Sequence, residues 1–344
     1  MTTLPELELI APAAASDDTS LGFTPETFAD YLGQTTVKEK LSVYTAAARM
    51  REEPLDHVLL FGPPGLGKTT LSQIIAKELG VPIKVTSAPV IERAGDLVAM
   101  LTNLQPREVL FIDEIHRLPK AVEEILYSAM ENFCVDMIVG QGPGAKSIRL
   151  PLHPFTLIGA TTKTAMISGP LQTRFGITER LEFYEPEELA QIVLQNSAFL
   201  TLDVSHDAAV QIGKRARGTP RIVKRILRRV RDFAQVGGHE KIDSAIVEKA
   251  LTFLGIDGHG MNKLDRSLLI HILKDFDGGP VGLDTLAAMT GEDKDTIEDF
   301  CEPFLMRQGL LQKTPRGRQI PAQKRPFLRS LLLGENGEDQ QQLF

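Results

Sequence analysis

The sequence predicts an α/β domain with a parallel sheet, then a small all-α lid domain, then a C-terminal winged-helix domain. In the N-terminal half, short apolar runs end in small, hydroxyl or acidic residues, which is typical of buried parallel strands. From Pro186 onward, apolar residues recur at helical spacing instead. After a glycine-rich linker, Gly255 to Lys263, three helical patterns precede a short basic hairpin. Helix, turn, helix and a basic hairpin together describe a winged helix.

Composition and periodicity divide the 344 residues into five segments. They are a disordered N-terminus at 1–20, the α/β domain at 21–184, the lid at 185–255, the winged helix at 256–333 and a disordered tail at 334–344. The first segment is polar and alanine-rich without an apolar period, so disorder is expected there. It also lacks the basic start of a signal peptide.

One glycine-rich stretch, Gly62-Pro63-Pro64-Gly65-Leu66-Gly67-Lys68-Thr69-Thr70, predicts a phosphate-binding loop. The apolar run Val58 to Phe61 precedes it and a helical pattern follows, so the loop joins a strand to a helix N-terminus. Backbone N–H groups in such a loop point at phosphate oxygens. Lys68 is expected to reach the β- and γ-phosphates of ATP, and the Thr69 hydroxyl to bind Mg²⁺. The predicted nucleotide contacts here are Gly65, Leu66, Gly67, Lys68, Thr69 and Thr70.

A second nucleotide signature is the run Val109 to Ile112, which ends in the acid pair Asp113 and Glu114. Asp113 is expected to hold Mg²⁺, and Glu114 to polarise the attacking water. Solvated acids at the end of a surface strand are the alternative. A further strand ends in hydroxyl residues, and its Thr161 is expected to sense the γ-phosphate. The last strand is predicted at Glu182-Phe183-Tyr184. ATP and Mg²⁺ are therefore the predicted ligands.

The net charge of −7 does not by itself indicate a nucleic-acid-binding protein. However, the stretch from Arg307 to Arg325 contains six basic residues and no acid, which predicts a local DNA-binding patch. Its hairpin residues Lys313, Arg316 and Arg318 are the candidate contacts. The two cysteines are far apart in sequence and fit a reduced, cytoplasmic setting. Apolar runs are too short for a membrane span.

A second predicted hairpin covers residues 134–150. Val135, Met137 and Val139 recur at every second position, a glycine-rich turn follows at 140–144, and Ile148 and Leu150 return. Apolar side chains on such a ribbon fit a partner surface. Packing of the ribbon against its own domain is an equal alternative, and the sequence leaves both open.

Several motifs together resemble the RuvB family, bacterial AAA+ motors that drive branch migration of Holliday junctions. The resemblance runs from about Phe23 to about Gln323. Its most specific pieces are Leu55-Asp56-His57-Val58-Leu59-Leu60-Phe61, Asp113-Glu114-Ile115-His116-Arg117, Gly140-Gln141-Gly142-Pro143-Gly144, Arg217-Gly218-Thr219-Pro220-Arg221, Gly279-Pro280-Val281-Gly282-Leu283-Asp284 and Thr314-Pro315-Arg316-Gly317-Arg318.

The resemblance implies roles for residues that the motifs alone do not assign. Arg174 resembles an arginine finger that enters the neighbouring subunit's site, and Arg221 a sensor of the γ-phosphate. Phe23, Thr24, Glu131, Asn132, Phe133 and Tyr184 match positions near the nucleotide. Thr24 and Gln172 depart from the family, which usually has arginine at both positions.

The resemblance also implies partners. The hairpin of residues 134–150 would dock on RuvA, the junction-binding protein, and the basic wing would contact DNA. Members form hexameric rings around duplex DNA at four-way junctions, with the RuvC resolvase as a further partner. These partners imply an ATPase that acts in recombination and DNA repair.

Two other functions compete with this interpretation. A clamp-loader-type ATPase usually carries Ser-Arg-Cys at its finger, whereas this chain has Thr173-Arg174-Phe175. A nucleotide-gated DNA-binding regulator would not need Glu114 or Arg174. Its recognition helix should also offer polar side chains to bases, whereas this one carries Asp295, Glu298 and Asp299, which repel phosphate.

Overall fold

The structure is a computed structural model that describes residues 22–139 and 146–334, without the side chains of 137–139 and 146–147. The predicted disordered N-terminus, the hairpin turn at 140–144 and all but the first residue of the tail lie outside the described residues. The chain forms two compact units. The first contains residues 22–192 and 219–221, and the second contains 193–218 and 222–334.

A five-stranded parallel sheet forms the centre of the first unit. Its strands are β1 (Val58–Phe61), β2 (Ile83–Ser87), β3 (Val109–Asp113), β6 (Thr156–Thr161) and β7 (Ile177–Arg180), in the order β2-β3-β6-β1-β7. Two further strands, β4 (Cys134–Val139) and β5 (Lys146–Pro151), form a separate antiparallel hairpin. The predicted parallel sheet is confirmed.

The order of the strands brings the predicted chemistry to one edge. β6 lies between β3 and β1, and all three run parallel, so their carboxyl ends are neighbours. The phosphate loop follows β1, the acid pair ends β3, and Thr161 ends β6. Ligands of open α/β sheets bind at this edge.

Helices cover the sheet, and their buried faces follow the apolar periodicity of the sequence. They are α1 (Thr35–Arg51), α2 (Lys68–Leu79), α3 (Ala94–Thr102), α4 (Lys120–Asn132) and the short α5 (Gly169–Gln172). Leu97, Leu101 and Leu126 pack with strand residues such as Leu110 and Ile112 in one buried cluster.

The last strand of the sheet differs from the sequence prediction, which placed it at Glu182 to Tyr184. β7 instead covers Ile177–Arg180 and pairs with β1 until Arg180 lies opposite Phe61. Beyond that point Leu181 N–H donates to the Phe61 carbonyl, and β1 gives way to the phosphate loop. The strand therefore ends because its partner ends, which the apolar pattern could not indicate.

The small domain is helical, as predicted. It contains α6 (Pro186–Phe199), α7 (His206–Arg215), α8 (Pro220–Val236) and α9 (Ser244–Phe253), with a two-residue parallel pair, β8 (Asp203–Val204) and β9 (Lys241–Ile242). Ser205 and Asp243 cap α7 and α9 with their side-chain oxygens.

The C-terminal domain is the predicted winged helix. Its elements are α10 (Lys263–Lys274), α11 (Leu283–Thr290), α12 (Lys294–Thr296), α13 (Glu302–Arg307), β10 (Gln312–Thr314), β11 (Gly317–Gln319) and α14 (Arg325–Leu333). Leu268, Leu286, Ile297 and Leu305 are among its fully buried core residues. No helix of the described residues has both the length and the apolar character needed to cross a membrane.

A π turn, Ile297–Cys301, interrupts the third helical segment between α12 and α13. Glu302 N–H donates to the Ile297 carbonyl, five residues earlier. Pro303 follows directly and has no N–H to continue an ordinary helical ladder. Single π turns inside helices are rare and are frequent at functional sites.

Candidate nucleotide-binding site

The glycine-rich loop adopts a backbone that side chains would obstruct. Gly65 and Gly67 have φ of +80° and +98°. A Cβ on Gly67 would lie 2.8 Å from the Tyr31 hydroxyl, and one on Gly65 would lie 3.1 Å from Arg221 Cβ. Only glycine fits both the backbone angles and these close neighbours. The loop is therefore shaped by its surroundings to present N–H groups at the start of α2.

Lys68 opens α2 and is 7% exposed. Its ammonium donates to the Gly62 carbonyl at 2.8 Å and the Pro63 carbonyl at 3.0 Å, across the loop. Burial lowers the pKa of Lys68 to about 8, Arg221 adds to that effect, and the nearby Glu114 and Asp113 oppose it. The nearby acids therefore do not fully offset the cost of burying the Lys68 ammonium, and bound phosphates would stabilise its charge.

The two acids at the end of β3 occupy different surroundings. Asp113 Oδ1 accepts the Glu114 N–H at 2.9 Å, and burial, followed by the charge of Glu114, raises the pKa of Asp113. Glu114 has φ +49° and lies beside His116, with 3.2 Å between Glu114 Oε2 and His116 Nδ1. Left-handed backbone in a non-glycine residue is frequent at active sites.

Two threonines at the end of β6 lie near the acid pair and His116. Thr161, the predicted sensor, is fully buried, and its Oγ1 lies 2.9 Å from His116 Nδ1. Thr162 Oγ1 instead donates to Glu114 Oε2 at 3.3 Å. Thr162 thus contacts Glu114 directly, whereas Thr161 contacts His116, which itself lies beside Glu114. The sequence motifs assigned no role to Thr162, and they included His116 only as part of a family motif.

Arg221 joins this group. Its backbone N–H donates to the Gly65 carbonyl at 3.4 Å, and its charge acts on both Lys68 and Asp113. The structure thus brings together Lys68, Asp113, Glu114 and Arg221 at the carboxyl edge of the sheet. These residues come from three separate parts of the sequence.

Tyr184 supports the loop from behind. It is 2% exposed, and its hydroxyl donates to the Tyr31 hydroxyl at 3.1 Å and the Leu66 carbonyl at 3.4 Å. Tyr31 donates to the same carbonyl at 3.2 Å. Burial raises the pKa of Tyr184 to about 12, so this hydroxyl stays protonated. Among the described residues, Phe23, Thr24, Thr69 and Thr70 are half-buried.

Arg174 lies elsewhere. It precedes β7, whose first residue Ile177 donates its N–H to the His57 carbonyl just before β1. Arg174 is therefore at the amino edge of the sheet, and the four residues of β1, about 10 Å long, separate that edge from the phosphate loop. Its guanidinium lies 3.0 Å from Glu131 Oε1 and 4.4 Å from the centre of the Tyr127 ring.

Glu131, Asn132 and Phe133 belong to this second edge. Phe133 packs against the rings of His57 and Phe155, with centroids 6.3 and 5.9 Å away, and both of those residues precede central strands. Glu131 pairs with Arg174, and Asn132 is exposed. These residues therefore do not line the phosphate loop of their own chain.

The residues at the carboxyl edge fit Mg²⁺ bound with a nucleotide. Asp113 and Thr69 would offer oxygen ligands, which Mg²⁺ prefers, and Mg²⁺ commonly binds one or two protein groups together with phosphates. Among the described residues no cluster of three His, Cys, Asp or Glu side chains has the geometry of a metal site. Any metal at Asp113 therefore depends on phosphate oxygens and water.

The predicted DNA contacts of the second unit divide into two kinds. Arg316 is at the exposed tip of the β10–β11 hairpin, and Lys313 is about half exposed. Arg318 is 8% exposed, and its guanidinium donates to Glu302 at 2.6 Å and to Glu298 at 2.8 Å. This buried, paired position differs from that expected of a phosphate contact, because Glu298 and Glu302 already satisfy the charge.

The low pKa of Lys68 predicts a pH-dependent affinity for ATP. Phosphates stabilise the ammonium, so binding should restore its proton. Above about pH 8, where the free protein loses that proton, affinity should fall up to about tenfold per pH unit. Titration calorimetry at pH 9 in two buffers of different ionisation enthalpy should show uptake of about one proton. Constant affinity from pH 7 to 9.5 would contradict the lowered pKa.

Comparisons with known proteins cover all three domains. Family models match for the Holliday junction DNA helicase RuvB P-loop domain at residues 23–181, the RuvB AAA lid domain at 184–257 and the RuvB C-terminal winged helix domain at 258–328. The Thermotoga maritima RuvB Holliday junction branch migration motor is 46% identical, with a TM-score of 0.80 over 89% of this chain and 98% of its own. Two T. maritima RuvB mutants give a TM-score of 0.82 at 46% identity, over 89% of this chain and 98% or 99% of theirs.

Proposed function

This chain belongs to the RuvB family, and we propose that it hydrolyses ATP to move duplex DNA and so drive branch migration of Holliday junctions. The family is one of AAA+ branch-migration motors with a nucleotide-binding loop and a DNA-binding winged helix. We also propose that this protein acts in recombination and DNA repair.

The observation that carries the proposal is the grouping of Lys68, Asp113, Glu114 and Arg221 at one edge of the sheet. Loop N–H groups and Lys68 would bind the phosphates, and Arg221 would contact the γ-phosphate. When bound, Mg²⁺ would neutralise charge on the β- and γ-phosphates. Glu114, which lies beside Thr162 and His116, would orient and polarise a water for in-line attack. A regulator that only binds nucleotide needs no such acid.

We propose a hexameric ring in which each site is shared by two subunits. The support is the position of Arg174, which lies with Glu131 at the edge of the sheet opposite its own phosphate loop. An arginine there can serve a neighbouring chain's γ-phosphate but not its own. Glu131, Asn132 and Phe133 would approach that neighbour's nucleotide from the same side.

We further propose RuvA as a partner, through the β4–β5 hairpin. Val135 is buried, and Leu150, its cross-strand neighbour, packs against the core of its own domain. Ile148, however, is 44% exposed. The base of the hairpin thus packs against its own domain, whereas the exposed Ile148 is available to a partner. RuvC as a further partner and a cytoplasmic location are also proposed; Cys134 and Cys301 are both free and buried, as a reduced compartment allows.

The main test measures ATP hydrolysis and strand separation on a synthetic four-way junction, with and without RuvA. We expect the junction and RuvA together to stimulate both. Ile148→Glu should remove the part that RuvA stimulates and leave basal ATP hydrolysis unchanged, because a carboxylate is costly to bury in an apolar interface. Val85→Glu, at a 54% exposed apolar residue on β2, is the matched control. Binding of the junction without any strand separation would favour the regulator.

The wing should grip the phosphate backbone without reading sequence. Arg316→Ala should weaken binding to all duplexes alike and reduce the slope of log K against log salt by about one unit. Arg318→Ala should instead destabilise the domain by about 3 kcal/mol, because it removes the closer of the two cations that pair with the buried Glu302 and leaves only Lys313, 3.8 Å away. Fluorescence anisotropy across salt concentrations and thermal unfolding separate the two effects. Loss of binding to a single sequence would contradict this mode of contact.

A further inference from the structure

The motif Arg217-Gly218-Thr219-Pro220-Arg221 contains a second arginine to which the catalytic site gives no role. Arg217 follows α7 and is almost completely buried, with its side chain 7% exposed. Its backbone has φ +54°, and Gly218 after it has φ +76°. A buried arginine in a left-handed conformation persists only where its surroundings fix it. Those surroundings belong to the winged helix.

Three groups of the winged-helix domain enclose the Arg217 guanidinium. It forms an ion pair with Asp265, which is fully buried in the first turn of α10. It also lies over two rings, 4.9 Å from the centre of Phe300 and 4.6 Å from the centre of Phe304. Guanidinium groups favour such stacking over aromatic faces. Arg217 thus fixes the end of the lid to the third helical segment of the winged helix.

Asp265 is itself held in place. Its carboxylate accepts the Asn262 N–H at 2.9 Å, and its own N–H donates to Asn262 Oδ1 at 2.8 Å, which completes a capping box. Burial raises the pKa of Asp265, and Arg217 opposes this shift. A buried ion pair of this kind is weak evidence for stability, but it can specify one arrangement of the elements that it joins.

Other residues of the same helical segment form ion pairs with the β10–β11 hairpin. Phe300 is in the π turn and Phe304 in α13. Glu298 and Glu302, interleaved with them in sequence, bind Arg318 and Lys313 of the hairpin. One short segment, residues 297–304, therefore contacts Arg217 of the lid and two cations of the DNA-contacting hairpin. All of these residues belong to the second unit.

We propose that Arg217 is a positioning residue that couples the nucleotide-sensing turn to the DNA-contacting hairpin through the π turn. This inference rests on the proposed function. Arg221, four residues along the chain, contacts the phosphate loop, so a change of position there displaces the turn that carries Arg217. With the guanidinium clamped by Asp265 and two rings, the displacement reaches segment 297–304 and the wing that it holds.

Arg217→Met tests the coupling, because methionine fills the space between the rings without the charge or the planar group. We expect basal ATP hydrolysis to stay within about twofold of the parent, and the base pairs migrated per ATP to fall about tenfold. Arg215→Met is the control, since Arg215 is similarly buried but binds Glu248 and the Asp257 carbonyl instead. In Arg215→Met the number of base pairs migrated per ATP should equal that of the parent protein.

Hydrogen exchange gives a readout that does not depend on motor activity. In the parent protein, a non-hydrolysable ATP analogue should alter exchange both at residues 62–70 and at residues 297–305. In Arg217→Met only the first change should remain. If Arg217→Met fails to fold, Arg217→Lys is measured in its place, because it keeps the charge but not the planar stack.

The outcomes separate this inference from the proposed function. An unchanged ratio of base pairs to ATP, a parallel loss of both activities, or an exchange change at 297–305 that survives in the variant would each overturn the role of Arg217. Absence of junction migration in the parent protein would overturn the motor function. In that case the exchange experiment would still decide whether Arg217 links the sensing turn to the wing.

Discussion

Replacing Arg174 with alanine should slow ATP hydrolysis by about 10³–10⁵-fold while ATP still binds. Charge that develops on the transferred phosphoryl group needs a fixed, non-titrating cation, and guanidinium supplies one. The Arg174 guanidinium is held by Glu131, the Tyr127 ring and the Pro170 carbonyl, to which its Nη1 donates at 2.6 Å. Steady-state hydrolysis and binding of a fluorescent ATP analogue measure the two effects.

Mixing two inactive variants tests whether Arg174 acts on a neighbouring subunit. Lys68→Ala should not bind ATP, and Arg174→Ala should lack the proposed finger. In mixed rings some interfaces join an intact loop to an intact finger, so hydrolysis should partly return. Verified mixed hexamers with no activity would contradict the shared site. They would favour the other interpretation, in which Arg174 only forms the structural ion pair with Glu131.

Glu114→Gln should bind ATP normally and hydrolyse it about 10²–10⁴-fold more slowly. The amide keeps the shape of the carboxylate but cannot polarise water in the same way. Single-turnover hydrolysis with pre-bound ATP isolates this step from binding. Hydrolysis at the parent rate would show that another group positions the water.

Asp113→Asn is the informative comparison for Glu114→Gln, because it changes the neighbouring acid. If Asp113 acts on the metal, added Mg²⁺ should partly restore the Asn variant and leave the Gln variant unaffected. Equal restoration of both variants would show that the roles of the two acids are not separate.

The parts of the site that the sequence predicted are those encoded by contiguous residues. Lys68 and the acid pair follow apolar runs directly, so strand and chemistry could be inferred together. The contacts of Thr161 with His116 and of Thr162 with Glu114 could not be predicted, because they depend on which side of β6 each side chain faces. The resemblance placed Tyr184 near the nucleotide, but the hydrogen bond from its hydroxyl to the loop carbonyl of Leu66 could not be predicted from the sequence.

Contacts between distant residues account for the remaining differences. Arg318 belongs to a basic stretch without acids, and its partners Glu298 and Glu302 lie in another segment. The count of basic residues in this stretch therefore gave the wing more exposed positive charge than the structure shows. Arg174 and Glu131 are 43 residues apart, and only the parallel order of β1 and β7 shows that both lie away from the phosphate loop. Pattern alone does not carry that information.

The acids beneath the wing have a consequence for how tightly one subunit can hold DNA. Lys313 and Arg318 share Glu298 and Glu302, so Arg316 supplies most of the uncompensated charge of the three. With so few counterions released, a lone subunit should bind weakly and dissociate quickly. Tight association then requires several subunits to contact the same duplex, because each bound subunit raises the effective concentration of DNA at the others. One subunit can then release the duplex and bind it again while the other subunits stay bound, which stepwise movement along DNA requires.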